Sequence, residues 1–302
     1  MRRALLLVLA LGILAGGAVL WITRPARVDP ADYAALTGDP ERGRAVFDAA
    51  GCASCHLPAG TPEGAAAEGG DAPVLAGGQR FASDFGTFVA PNITPDPEAG
   101  IGHWSLADLA SALTRGTDRA GRHLYPALPY ASYVHATPQD IADLYEYLMT
   151  LPPDPTPNQP SEVRFPFSIR AGLGVWKMLN LKDSWAVPGD LPPEAARGRY
   201  LAEALGHCAE CHTPRDALGG LDRDRWLSGV PGPDGRGGVP NITPGALDWS
   251  EAEIAEYLSS GFTPDYDSAG GEMAKVVSNF AKLPEADRLA VAAYLKTVPA
   301  IE

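Results

Sequence analysis

Positive charge is scarce in this sequence: 24 Lys and Arg stand against 37 Asp and Glu, for a formal net charge of −13. That balance would be repelled by phosphates, which excludes nucleic acid as a partner. An acidic surface suits a basic protein partner through long-range steering, and it serves solubility equally well. Sulfur is scarce too, with four cysteines and four methionines in 302 residues. Disorder is excluded by an ordinary globular balance of 45% apolar and 20% charged residues. Glycine and proline, by contrast, are plentiful at 33 and 29. They point to loop-rich domains that wrap something rather than stack long regular elements. The length exceeds what one hydrophobic core usually serves, so two domains are expected.

The N-terminus carries Arg2 and Arg3, then nineteen apolar residues at 4–22, then Thr23-Arg24-Pro25. About 20 apolar residues span the hydrocarbon core of a bilayer as a helix, whereas a signal-peptide core runs only about 7–15. An uncleaved anchor is the first expectation, with Arg2 and Arg3 in the cytoplasm and Trp21 at the far interface. Gly16-Gly17-Ala18 leaves a cleaved signal open. Both alternatives export the rest of the chain.

The cysteines occur as Cys52-Ala53-Ser54-Cys55-His56 and Cys208-Ala209-Glu210-Cys211-His212. Two disulfides would not explain a histidine directly after each pair. A four-cysteine zinc site separates its pairs by about 15–20 residues, and here 152 residues intervene. Cys-x-x-Cys-His is the attachment signature of c-type haem. Two thiols add to the vinyl groups of one porphyrin edge, and the tether brings the following histidine beneath the iron, where neutral imidazole is a good axial ligand. The cofactors expected are therefore two covalently bound haem c, with Cys52, Cys55, Cys208 and Cys211 as tethers and His56 and His212 as proximal ligands.

The halves repeat beyond these motifs. Gly43-Arg44 and Gly198-Arg199 precede them; Pro91-Asn92-Ile93-Thr94-Pro95 recurs as Pro240-Asn241-Ile242-Thr243-Pro244; Trp104-Ser105 recurs as Trp249-Ser250. Ser250 with Glu253 forms a capping box, and Ser105 with Asp108 its aspartate variant. A helix carrying Phe47 or Tyr200 leads into each motif, and a closing helix at 137–148 or 284–295 crosses it. Ile141, Leu144, Tyr145 and Leu148 in the first closing helix keep helical spacing. The two Asn-Ile-Thr sites also match a glycosylation pattern, but the flanking prolines are better read as a turn that holds the haem loop. Residues 153–190, with Phe165-Pro166-Phe167 and Trp176, read as an interdomain strap.

Asn-Ile-Thr-Pro-Asp at 92–96, Gly-Ile-Gly-x-Trp-Ser at 100–105 and Leu124-Tyr125-Pro126-Ala127-x-Pro129-Tyr130 together resemble one family. It comprises the membrane-anchored cytochrome c subunits of bacterial periplasmic alcohol, gluconate and aldehyde dehydrogenases. The resemblance implies an all-α fold of two tandem cytochrome c domains behind an N-terminal transmembrane helix. The expected limits are 1–28 for the anchor or signal, 36–152 and 191–302 for the domains, and 153–190 for the strap. Many members carry three haems; with two motifs, the third domain is expected to be absent. The implied function is that of a dihaem cytochrome with no catalytic activity of its own. It would sit on the bacterial inner membrane with its soluble domains in the periplasm, taking electrons from a periplasmic dehydrogenase towards quinone, a terminal oxidase or another cytochrome.

Methionine is the usual sixth ligand in such carriers and raises the potential. Met273 is similar to the family's ligand to the second haem. In the first half the family's Tyr-Pro-Ala-Met-Pro-Tyr reads with Leu128 in place of methionine, and leucine offers iron no lone pair. The first haem is then either open or water-bound, or reached by His123, with His135 and His103 as weaker candidates. Met149 reads as core, Met178 as part of the strap and His207 as a simple neighbour of the second motif. Arg115 and Arg122 are candidates to pair with haem propionates. The rival to electron transfer is a haem enzyme acting on peroxide or a small sulfur or nitrogen species at an open first haem; ligand sensing is a third alternative.

Overall fold

The structure is a computed structural model, which describes residues 1–61, 72–232 and 238–302. Helix α1, Arg2–Ile22, has no buried residue and contains an 18-residue stretch of mean hydropathy 2.6. It is the one helix among the described residues long and apolar enough to cross a membrane. Thr23 closes it by donating its hydroxyl to the Val19 carbonyl at 2.8 Å. The chain then meets the first half, where Arg27 pairs with Asp108.

In the first half, α2 (Pro40–Ala49) leads into α3 (Cys52–His56), and α4 (Leu106–Arg115), α5 (Tyr130–Tyr133) and α6 (Pro138–Thr150) follow. Asp39 caps α2 by accepting from the amides of Glu41 and Arg42, and Pro40 occupies the first helical position. The Ser105–Asp108 capping box forms in full at the start of α4. Helices α2 and α6 cross at Gly43, where a Cβ would collide with the carbonyl oxygen of Asp143. Beside the crossing, Phe47 meets Tyr147 edge to face at 5.1 Å, and the buried Asp143 accepts from Arg42 Nε at 2.8 Å.

The strap contains α7, Gly172–Asn180. The second half repeats the first: α8 (Pro193–Arg199) leads through a π-helical stretch, Tyr200–Leu205, to α9 (Ala209–His212), followed by α10 (Glu251–Ser260), α11 (Glu272–Phe280) and α12 (Glu285–Leu295). The Ser250–Glu253 capping box forms on α10. Gly198 marks the crossing with α12, its missing Cβ facing the Ala290 carbonyl. Arg197 grips Asp287 there at 2.9 Å, as Arg42 grips Asp143.

The π-helical stretch has a cause in the sequence. Nine residues lead from Gly43 to Cys52 but ten from Gly198 to Cys208. Gly198 is pinned by its crossing and Cys208 by its loop, so the extra residue is absorbed inside the helix, as π turns do. The Gly206 amide accordingly reaches back five residues to the Leu201 carbonyl, at 2.6 Å.

One expectation needs correction. The domains are mostly helical but not all-α: β1 (Arg80–Ser83), β2 (Gly86–Val89) and β3 (Glu162–Val163) form an antiparallel sheet, and β4 (Val230–Pro231) pairs with β5 (Gly238–Val239). Both hairpins lie between an attachment motif and the following Pro-Asn-Ile-Thr turn. The strands are too short for alternation to announce them, and β3 comes from the strap, a distant partner no local pattern reveals. Within the strap, α7 packs on the end of α1. Gly174, which reads as a helix breaker, leaves room for the Thr23 carbonyl and side chain.

Gly43→Ala and Gly198→Ala should each lower stability by at least about 2 kcal/mol, because a methyl group is forced against backbone that cannot rotate away. Thermal melting checks this; the same substitution at Gly172, which has no neighbour within 4 Å, should have little effect.

Candidate functional site

Helix α3 puts Cys52 and Cys55 three residues apart and therefore on one face; Cys208 and Cys211 are spaced alike. His56 and His212 point their Nδ1 atoms at the carbonyls of Pro91 and Pro240, both at 2.8 Å. A carbonyl can only accept, so Nδ1 carries the proton and Nε2 is left with its lone pair. Burial pushes both imidazoles below the ordinary histidine range, with the proline carbonyls opposing it, which keeps the rings neutral.

The loops that deliver these carbonyls are built alike. Gly77 and Gly229 donate their amides to the carbonyls of His56 and His212 at 2.8 and 2.7 Å, and Ile93 and Ile242 donate to Leu75 and Leu227, both at 3.0 Å. Both glycines have positive φ, at 71° and 79°, a conformation glycine adopts freely. Asn92 Oδ1 accepts from the Thr94 amide at 2.9 Å and hydroxyl at 2.7 Å. Its amide donates to the Asp154 carbonyl at 2.8 Å, beyond the closing helix. Asn241 repeats this with Thr243 and the Ile301 carbonyl. Asn92 is buried and fully bonded, so it is a structural clamp rather than a glycan acceptor.

All four cysteines are free of disulfides. Burial pushes the Cys52 and Cys208 thiols up to about 12, so without a bound group they stay protonated. A neutral thioether suits the same setting. No group of three or more His, Cys, Asp or Glu is poised to hold a metal ion among the described residues. The donor set fits haem c and does not fit zinc.

After α4 and α10, loops of equal length set the register in the two halves. Thr117 bridges to His123 and Phe262 to Ser268; the Leu124 amide then donates to the Gly116 carbonyl, and Ala269 to Gly261, both at 2.7 Å. Leu128 lies four residues beyond Leu124, and Met273 four beyond Ala269, so they hold equivalent places. Met273 is half-buried against the core, in the first turn of α11.

Of the histidine candidates for the first haem, one is held at its ring by other residues. His123 is buried with Nδ1 at 3.0 Å from Lys177 Nζ, and the Thr23 backbone also bonds its ring. His135 stacks on Trp185, with centroids 4.2 Å apart, and His103 is exposed. Arg122 is paired with Asp118 at 2.8 Å. Met149 packs against the core, and Met178 is exposed on α7. His207 is more than a neighbour of the second motif, since it reaches the Ala50 carbonyl of the first half at 3.3 Å. Asn279, which no sequence signal singled out, bonds Ser54 inside the first motif.

The profile of the cytochrome c family matches residues 40–152 and again 195–299. A dihaem c-type cytochrome of Cereibacter sphaeroides is 58% identical over the full length of both chains. The fructose dehydrogenase cytochrome subunit of Gluconobacter japonicus is 36% identical over 90% of this chain and 55% of its own length. The gluconate 2-dehydrogenase cytochrome c subunit of Pantoea cypripedii is 34% identical over 89% and 63%. The chain thus spans little more than half of each of these two dehydrogenase subunits. Nothing in these relatives favours the haem-enzyme alternative.

The His135 stack yields a pH dependence. Burial, with Arg223 and Arg199 adding to it and Asp183 opposing, pushes His135 down to about 4. Between about pH 6.5 and 4 the unfolded chain binds a proton there that the folded chain refuses, so stability present above pH 6.5 is lost on acidification. His135→Phe keeps the stack but cannot titrate; its melting temperature should fall less steeply than the wild type's over that range.

Proposed function

The chain belongs to the cytochrome c family, and from that premise we propose that it is the electron-transferring subunit of a periplasmic dehydrogenase complex. It carries two covalently bound haem c groups. Haem c cycles between ferric and ferrous iron, one electron at a time. The observation that carries the residue assignment is the twin hydrogen bond from His Nδ1 to a proline carbonyl, at 2.8 Å in both halves. Cys52, Cys55, Cys208 and Cys211 are the tethers, and His56 and His212 supply Nε2 to iron. Pro91 and Pro240 fix the tautomer and strengthen each imidazole as a donor. Met273 supplies the second haem's distal sulfur.

At the first haem, Leu128 fills the equivalent place with an alkyl group, and His123 is turned to Lys177 and Thr23. From this loop, that haem would receive no sulfur or imidazole donor. The proposed partners are a dehydrogenase subunit upstream and quinone, a terminal oxidase or another cytochrome downstream. Support comes from the relatives that are dehydrogenase cytochrome subunits. The site is proposed to face the periplasm, with Arg2–Ile22 anchoring the chain in the inner membrane. The helix's apolar length and complete exposure support this; a mature chain lacking it would make the segment a cleaved signal.

Reduced protein should bind carbon monoxide at one haem only. Leu128→Met, a nearly volume-neutral exchange, should make the first haem low-spin, abolish that binding and raise its potential; Met273→Leu should do the reverse at the second. Magnetic circular dichroism reads the ligands directly. Two His/Met haems in the wild type, or a His/His signal abolished by His123→Ala, would overturn the assignment at the first haem.

A further inference from the structure

The positions just before the two attachment motifs correspond, yet they hold different residues. Gly51 precedes Cys52 with φ +62°, and His207 precedes Cys208 with φ +39°. Glycine adopts this left-handed conformation freely; any other residue loses about 1–2 kcal/mol there. The second half nevertheless keeps a side chain at this position, and its ring leaves its own domain. His207 Nε2 lies 3.3 Å from the Ala50 carbonyl, two residues before Cys52. The Tyr133 hydroxyl donates to the same carbonyl at 3.3 Å, and the two rings meet edge-on at 5.8 Å.

A second bond runs in the same direction, from the second half to the first. The amide of Asn279, buried on α11, donates to Ser54 Oγ at 2.9 Å, and Ser54 lies between Cys52 and Cys55. The same asparagine approaches Gly51, where a Cβ would sit 3.3 Å from its Nδ2. Met273 is six residues earlier on this helix, about 9 Å along its axis. Lys282, just past α11, pairs with Asp48 at 3.2 Å. The second half thus reaches the first attachment motif and the helix before it at three points, one of them from the residue directly before its own motif.

We propose that His207 and Asn279 are positioning residues that lock the two attachment motifs against each other, so that electrons pass directly between the haems and each haem's charge shifts the other's potential. This rests on both motifs being haem sites. The transfer moves one electron from ferrous to ferric iron and needs no proton, bond change or third reactant. A charge added on one side of the seam opposes a like charge on the other, which separates the two midpoints.

The full chain tests this with Ser54→Ala, Asn279→Ala, their double variant and His207→Gly, the last being compatible with the left-handed backbone. Intact mass counts the haems, redox titration gives both midpoints, and pulsed electron paramagnetic resonance reads the magnetic coupling between ferric haems. Ser54→Ala and Asn279→Ala should shift the separation of midpoints equally, and the double variant should go no further. A severalfold change in the inter-haem equilibrium is expected, a tenfold change being about 59 mV for one electron. His207→Gly should weaken the magnetic coupling with both haems retained. Wild-type midpoints and coupling in variants that keep both haems would overturn the proposal. A wild-type protein with fewer than two haems would instead overturn the assignment of the sites. Should Asn279→Ala lose a haem, Ser54→Ala removes the same bond at a position where the second motif carries Glu210, and its result decides.

Discussion

Each half is organised around one hydrogen bond, from a histidine Nδ1 to a proline carbonyl at 2.8 Å. For that bond to form, the loop after each motif must return to the histidine at a fixed height. The positive-φ glycines Gly77 and Gly229 start the return, and the Asn-Ile-Thr turn ends it. The asparagine in turn must be held, and it is tied to the chain beyond the closing helix. The closing helix is itself set by its crossing at Gly43 or Gly198. Removing the bond would leave a buried imidazole free to rotate or to change tautomer, with the loop that covers it unanchored.

Duplication and divergence are both readable in these parts. The crossings, capping boxes and proline turns are kept in both halves, while three differences separate their roles. A π turn absorbs one added residue before the second motif. A histidine replaces glycine at the left-handed position and reaches across the seam. Leucine stands in the first half where the second has methionine, four residues after the matching amide bonds of Leu124 to Gly116 and Ala269 to Gly261. The two halves are thus alike in their attachment motifs and unlike at Leu128 and Met273.

Most of the proximal architecture was legible in the sequence, because short motifs with fixed offsets encode it. The Cys-x-x-Cys-His runs, the repeated Pro-Asn-Ile-Thr and the capping boxes all rest on contacts within a few residues. What escaped depends on distant partners. Strand β3 exists because β2 offers it an edge 75 residues earlier in the chain. Helix α7 hides behind glycines, and Gly174 is required by the Thr23 backbone. Asn279 and His207 carry no local signal, since their partners lie in the other half; only the strained backbone of His207 marks it, and that is visible in three dimensions alone. His123 was a reasonable ligand by proximity in sequence, but Lys177 and Thr23, far away along the chain, claim its ring.

The central claim is that this chain holds two haem groups by thioether bonds from its four cysteines. Intact mass of the mature protein after acid–acetone extraction measures that most directly. The expected result is a polypeptide heavier by two haems, with no thiol left to react with an alkylating reagent. A mass equal to the bare polypeptide, with four alkylatable thiols or a bound zinc ion, would contradict it.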